Sequence, residues 1–292
     1  MKNVKKGHVK PRICLDAGHY GKYNRSPVVP AYYESEAMWK YHLMLKDELE
    51  KRDMEVTTTR SDQSKDMGLK ARGKASKDCD LFLSLHSNAA SSESVDYVVA
   101  YHLYSDSGTQ IDDQSKELAG LLAPVIAKTM GTKQAGRIAT RKGSGDWNGD
   151  GVLNDNYYSV LNGARLVGTP GIILEHSFHT NKAAAKWLLD EGNLKKLAVA
   201  EADVIDQWFG LEQEKEKAQT FTLELPVLKR GCKGNAVRGL QAQLVGYGYK
   251  IDVDGSYGPA TENAVECYQE DNGLTPDGIA GPKTRKHMNG LE

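Results

Sequence analysis

The chain reads as an α/β protein, a mostly parallel sheet flanked by helices, followed by a small three-helix bundle. Three observations predict this. Short, nearly continuous apolar runs occur at Arg12 to Asp16, Leu81 to Leu85 and Gly171 to Leu174, the pattern of strands buried on both faces. Strand-like and helix-like segments alternate from residue 11 to about 209. Beyond a charged stretch, Leu211 to Ala218, the pattern changes to short helical segments separated by glycine turns.

In order along the chain, the first apolar run leads into Ala17-Gly18-His19 and a loop from Gly21 to Pro30 rich in Gly, Pro, Asn and Ser. A helix is expected from about Glu34 to Arg52, then a β-branched strand over Glu55 to Arg60. Gly68 to Asp78 reads as a short helix before the strand at 81–85, and residues 95–104 as another strand. Lys116 to Met130 is an apolar helix interrupted by Pro124, and residues 182–190 and 193–209 are helical. We place a first domain at 1–209, a linker at 210–220 and a second domain at 221–292. That second domain repeats a motif: Asp254-Gly255-Ser256-Tyr257-Gly258-Pro259-Ala260-Thr261 and Asp277-Gly278-Ile279-Ala280-Gly281-Pro282-Lys283-Thr284 both read DGxxGPxT. Each is a tight glycine turn that delivers a Pro-opened helix.

The 292 residues are 39% apolar and 26% charged, with a net charge of −1. That composition gives a real core. It shows no sign of the basic face a nucleic-acid binder needs. No run of about 18 apolar residues marks a membrane span. The N-terminus has the basic start of an export signal but no apolar middle. The four cysteines, Cys14, Cys79, Cys232 and Cys267, are isolated; spacing alone does not support a Cys232–Cys267 pair.

The three apolar runs end in residues able to hold or serve a metal: His19, His86 and Glu175. In open α/β sheets ligands bind beyond the carboxyl ends of the strands, so these residues are expected to meet at one sheet edge. Two histidines with an acidic residue from the start of the first helix, Glu34 or Glu36, form a ligand set suited to zinc with room for water. Glu36 would point about 200° away from Glu34 around the helix. Glu175 would be the unliganded carboxylate that moves protons. Asp146-Trp147-Asn148-Gly149-Asp150-Gly151 matches half of a calcium loop but lacks its closing glutamate, Tyr157 standing there. A turn-rich loop over a substrate groove is the stronger reading.

Asp16-Ala17-Gly18-His19-Tyr20-Gly21, Ser84-Leu85-His86-Ser87-Asn88-Ala89 and Leu174-Glu175-His176-Ser177-Phe178-His179-Thr180-Asn181 resemble, in order, the motif series of type-3 zinc-dependent N-acetylmuramoyl-L-alanine amidases. Thr59-Arg60 and Arg72 fit the same pattern. The resemblance covers about residues 11–209. It implies one zinc ion and hydrolysis of the amide between N-acetylmuramic acid and the stem peptide's L-alanine. It implies His19 and His86 as ligands, Glu175 as the catalytic glutamate and Glu34, by its spacing from Val56, as the acidic ligand. Asn88, His176 and His179 are candidate substrate contacts. The family's glycine-rich stretch after the first histidine is replaced by Lys22 to Pro30. The segment after residue 221 resembles a type-1 peptidoglycan-binding domain through Leu228 to Gly231, Val237 to Gln241 and the paired DGxxGPxT turns.

The expected partner is therefore peptidoglycan, with no nucleic acid and no membrane insertion, for a chain acting as a monomer. The setting is wall lysis by a phage or prophage endolysin made in the cytoplasm and released onto the wall, or by a host autolysin. A zinc peptidase of the stem and a non-catalytic wall-binding protein are the alternatives.

Overall fold

The computed structural model describes residues 2–105, 108–146, 155–210 and 227–288. The chain forms two compact units, Met1–Glu214 and Lys215–Glu292. Most of the expected linker, and residues 147–154 of the calcium-like loop, lie outside the described residues.

The first unit holds one six-stranded sheet. Its strands are β1 (Arg12–Ala17), β2 (Glu55–Thr58), β3 (Leu81–Asn88), β4 (Val99–His102), β5 (Arg137–Ala139) and β6 (Gly171–Phe178), in the spatial order β2-β1-β3-β6-β4-β5. β2, β1, β3 and β6 are parallel neighbours; β4 pairs antiparallel with β6 and parallel with β5. The helices are α1 (Glu34–Lys51), α2 (Leu69–Lys74), α3 (Gln110–Met130), α4 (Ser159–Arg165), α5 (Lys182–Leu189) and α6 (Glu191–Phe209).

Strand side chains alternate between faces. On one face Ile13, Leu15, Leu81, Leu83, Leu85, Ile172 and Leu174 join the apolar stripes of α1, α3 and α6 in the larger core. The other face carries Cys14, Phe82 and Ile173, packed with Val160, Leu161 and Ala164 of α4. By the same alternation Asp16, Ser84, His86 and Glu175 stand on this second face, near the carboxyl ends of their strands.

Several boundaries differ from expectation. α3 begins six residues early because Thr109 and Asp112 form a reciprocal capping box, and it runs unbroken through Pro124. The strand expected over 95–104 shrinks to Val99–His102. β5 and α4 were not foreseen. α4 rests on a close crossing with α2: a Cβ on Gly73 would meet the Val160 carbonyl oxygen at 1.9 Å, and one on Gly163 the Lys70 carbonyl oxygen at 2.3 Å.

Among its described residues the second unit contains three helices, α7 (Asn235–Gly246), α8 (Pro259–Asp271) and α9 (Pro282–Met288), around Val237, Leu240, Leu244, Tyr257, Val265 and Tyr268. The repeated motif is a repeated hydrogen-bond device. Gln241 Nε2 reaches Asp254 Oδ1 at 2.8 Å and Thr261 Oγ1 at 3.0 Å, and its Oε1 accepts from Gly255 N at 2.8 Å. Gln269 Nε2 reaches Asp277 Oδ1 at 2.8 Å and Thr284 Oγ1 at 3.0 Å, and its Oε1 accepts from Gly278 N at 3.0 Å. Gly255 and Gly278 hold φ of 77° and 64°, the left-handed region that favours glycine. All four cysteines are free.

Candidate active site

The parallel register places His86 directly beside Glu175 across β3 and β6. One strand further along, the chain leaves β1 and turns at Gly18 and His19. Gly18 donates to the Leu85 carbonyl at 2.9 Å, and a Cβ there would meet the His86 ring at 2.5 Å. Only glycine allows that approach. His19 follows with φ of 58°. The turn is anchored from below by buried Asp16, which accepts from Thr59 Oγ1 at 2.7 Å and Ser84 Oγ at 2.8 Å and faces Arg72 Nη1 at 3.6 Å.

Glu34 opens α1 and is buried. Its Oε1 lies 2.8 Å from His86 Nδ1 and accepts from Ser87 N at 3.1 Å; its Oε2 lies 3.4 Å from His19 Nε2. Ligand atoms of His19, Glu34 and His86 all fall within 4.8 Å of one another. Glu36 lies elsewhere, half-exposed and 3.7 Å from Lys22 Nζ. Asn24, from the loop after His19, donates to Glu34 Oε2 at 2.7 Å and lies 3.0 Å from His19 Nε2.

Electrostatics sharpen the cluster. Burial would raise the Glu34 carboxyl, but hydrogen bonds from His19 and His86 outweigh it and hold Glu34 well below the usual carboxylate range. Burial would lower the His86 imidazole, but the hydrogen bond and charge of Glu34, with Glu175 and Asp16 behind, raise it to about 9. Glu175 is pushed up to about 7 by burial; the charge of His86 opposes the rise, that of Glu34 adds to it, and His176 opposes it. The residue is partly accessible, yet its Oε2 is covered and has no hydrogen-bond partner. A poised carboxyl beside a two-histidine, one-carboxylate donor set is an arrangement for metal-assisted proton transfer. That donor set fits zinc better than calcium or magnesium.

Of the expected substrate contacts, Asn88 is partly exposed at the end of β3. His176 and His179 are buried, which conflicts with direct contact. His176 points into the opposite core, with Nε2 2.7 Å from Glu201 Oε1 and Nδ1 3.0 Å from the His86 carbonyl. His179 Nδ1 lies 3.1 Å from Ser87 Oγ and 3.8 Å from Glu34 Oε2. Sequence reasoning missed Asn24 and Glu201. Glu201 left a signal, a carboxylate on the apolar stripe of α6 with Leu194, Leu197, Ala198 and Ile205, where a charge needs a buried partner.

Fold and site define an α/β protein with a metal-type donor cluster at the carboxyl edge of its sheet. Residues 13–207 match the N-acetylmuramoyl-L-alanine amidase family, and the chain belongs to it. Residues 233–288 match the peptidoglycan binding domain family. The amidase CwlL of Bacillus licheniformis is 29% identical over 151 residues, 48% of this chain and 41% of that protein. The zinc D-Ala-D-Ala carboxypeptidase of Streptomyces albus G is 48% identical over 60 residues, 20% of this chain and 24% of that protein. The chain thus spans less than half the length of these relatives. The catalytic domain of CwlV, an amidase of Bacillus (Paenibacillus) polymyxa var. colistinus, superposes with a TM-score of 0.54 at 22% identity, covering 69% of this chain and 99% of that domain. That likeness shows the fold.

Proposed function

We propose that this chain hydrolyses the amide bond between N-acetylmuramic acid and L-alanine in peptidoglycan, with one zinc ion held by His19, Glu34 and His86. The observation that supports this most is the convergence of those three ligand groups with Glu175 as the register partner of His86, in a chain of the amidase family. Bound zinc supplies Lewis-acid polarisation and lowers the pKa of water toward about 7. The proton that His86 carries beside Glu34 must leave when the metal binds. Glu175 takes a proton from the attacking water as its oxygen joins the carbonyl carbon of the muramic acid lactyl group. It then delivers that proton to the amide nitrogen as the C–N bond breaks, freeing a peptide that begins with L-alanine. A carboxyl near 7 serves both duties at neutral pH. Asn88, at the rim, contacts substrate. We assign His176 and His179 to support instead: His176 holds the β3 backbone at His86, and His179 braces Ser87 beside Glu34. The second unit tethers the chain to the wall.

The test is mass spectrometry of peptidoglycan digests. Free stem peptides beginning with L-alanine, lost on chelation and restored by zinc, are expected. Cuts within the stem would replace the amidase by a peptidase, and wall binding without products would leave a binding protein. The proposal includes a monomeric protein, checked by sedimentation. It also includes an endolysin role, checked by whether cells producing the chain lyse only after their membrane is permeabilised.

A further inference from the structure

The site has two dissimilar flanks, and the strand order sets them on opposite sides. On the β1 side, the exposed rings of Tyr23 and Tyr20 lie nearly parallel, 6.4 Å apart at 18°, and Tyr23 stacks on His19 at 4.9 Å and 19°. Parallel exposed aromatic faces beside a hydrolytic site suit the flat apolar face of a sugar ring. On the β4 side the character is cationic. Glu175 lies opposite Val99, and Ile173 opposite Tyr101, so Tyr101 shares the sheet face of Glu175. Tyr158 packs on Tyr101 at 4.9 Å, Tyr157 packs on Tyr158 at 5.4 Å, and the Arg141 guanidinium lies over the Tyr157 ring at 3.6 Å.

Arg141 is held in place. Tyr157 N donates to the Arg141 carbonyl at 2.8 Å, and the next residue, Lys142, forms a bridge with Asn156. Asn156 is buried and fixed in turn: its Oδ1 accepts from Tyr104 N at 2.9 Å and its carbonyl from Asn162 Nδ2 at 2.6 Å. Arg141 itself is exposed, and its side chain hydrogen-bonds that of Tyr158. With the guanidinium over the Tyr157 ring and bonded to the Tyr158 side chain, two aromatic contacts hold it, and its remaining N–H groups can meet a carboxylate at a reduced cost in entropy.

We propose that Arg141 is a specificity residue, receiving a carboxylate on the stem-peptide residue that follows L-alanine and so fixing the substrate's direction, glycan over β1 and peptide over β4. This rests on the amidase reading above. It gives the β4 flank a job that no metal ligand performs: a stem with a free acid at that position is preferred over one capped as the amide.

The experiment compares two soluble muropeptides that differ only in having a free carboxylate or its amide at the second stem residue. The unaltered full chain is expected to show kcat/KM roughly tenfold higher for the acid, a preference that shrinks with added salt. Arg141→Gln is expected to bring the ratio of the two forms close to one, and Arg141→Lys to recover part of it. Folding of each variant is checked by circular dichroism. Equal rates on both forms by the unaltered chain, or a full preference surviving in Arg141→Gln, would overturn the proposal while leaving the amidase reading intact. Cleavage of neither form by the unaltered chain would overturn the amidase reading itself, and this proposal with it.

Discussion

Glu34 and Glu175 are both carboxylates at one sheet edge, and their surroundings drive them apart. Glu34 is surrounded by donors: His19, Asn24, His86 and the Ser87 amide all point at it. Glu175 has a covered oxygen with no donor at all. The first is built to stay ionised and the second to exchange a proton. Glu175→Ala should therefore cut turnover by about 10²–10⁴-fold while zinc content stays at the parental level. Glu34→Gln should lose zinc, and Glu36→Gln, altering a surface partner of Lys22, should lose neither. Metal analysis beside turnover separates the three, and parental turnover in Glu175→Ala would remove that residue from the chemistry. His19, His86 and Glu175 were legible in sequence because each closes an apolar run. Asn24 was not, because nothing in a polar loop says which of its amides turns inward. The residues alone left Glu34 and Glu36 open; the family resemblance favoured Glu34 through its spacing from Val56, and the packing of α1 sets Glu34 beside His19 and His86.

At the scale of elements, β1, β3, β6, α1 and α6 were legible from their periodicity. β5 was not, since three residues, two exposed and one half-buried, carry no period, and α4 was not, since its seven residues depend on a glycine-to-glycine crossing with α2. Two predictions belong here. His42, buried on α1, has its imidazole lowered to about 4, chiefly by burial, with the Trp39 carbonyl opposing. A base whose folded pKa lies below its unfolded value of about 6.5 favours folding above that unfolded value. That contribution is lost as pH falls from 6.5 toward 4, because the unfolded chain binds the proton first. His42→Leu should flatten the fall in stability across this window by on the order of 3 kcal/mol, read as the difference between denaturation midpoints of parent and variant at pH 7 and pH 4.5. An unchanged slope would place His42 outside the acid response. In the second unit, Gln269→Leu strands the backbone amides of Asp277 and Gly278, both of which donate to its Oε1 at 3.0 Å. A loss of about 2–4 kcal/mol is expected, confined to the melting of that unit. A variant that melts like the parent would mean the glutamine clamp is dispensable.

For the molecule as a whole, the physical question is what a second unit adds to a chain whose proposed site draws its residues from the first unit. All of His19, Glu34, His86 and Glu175 come from the first unit, and each unit has its own apolar core. The division between the units, Met1–Glu214 and Lys215–Glu292, falls within the charged stretch of the sequence that breaks both strand and helix periodicity. The repeat beyond it was legible as two DGxxGPxT turns, though the paired glutamines that clamp them were not, since Gln241 and Gln269 lie outside the repeated motif. A tether leaves the chemical step alone and raises the local concentration of polymer around the site. The second unit should thus matter in proportion to how insoluble and extended the substrate is. On intact wall at low enzyme concentration, residues 1–210 alone should release stem peptides about 10–100-fold more slowly than the full chain. On soluble muropeptides the two should match within about twofold, since no polymer remains to be gathered. Equal rates on wall would mean the second unit does not act as a tether. A deficit of the same size on both substrates would mean that it contributes to the fold or site of the first unit, against the separation of their cores.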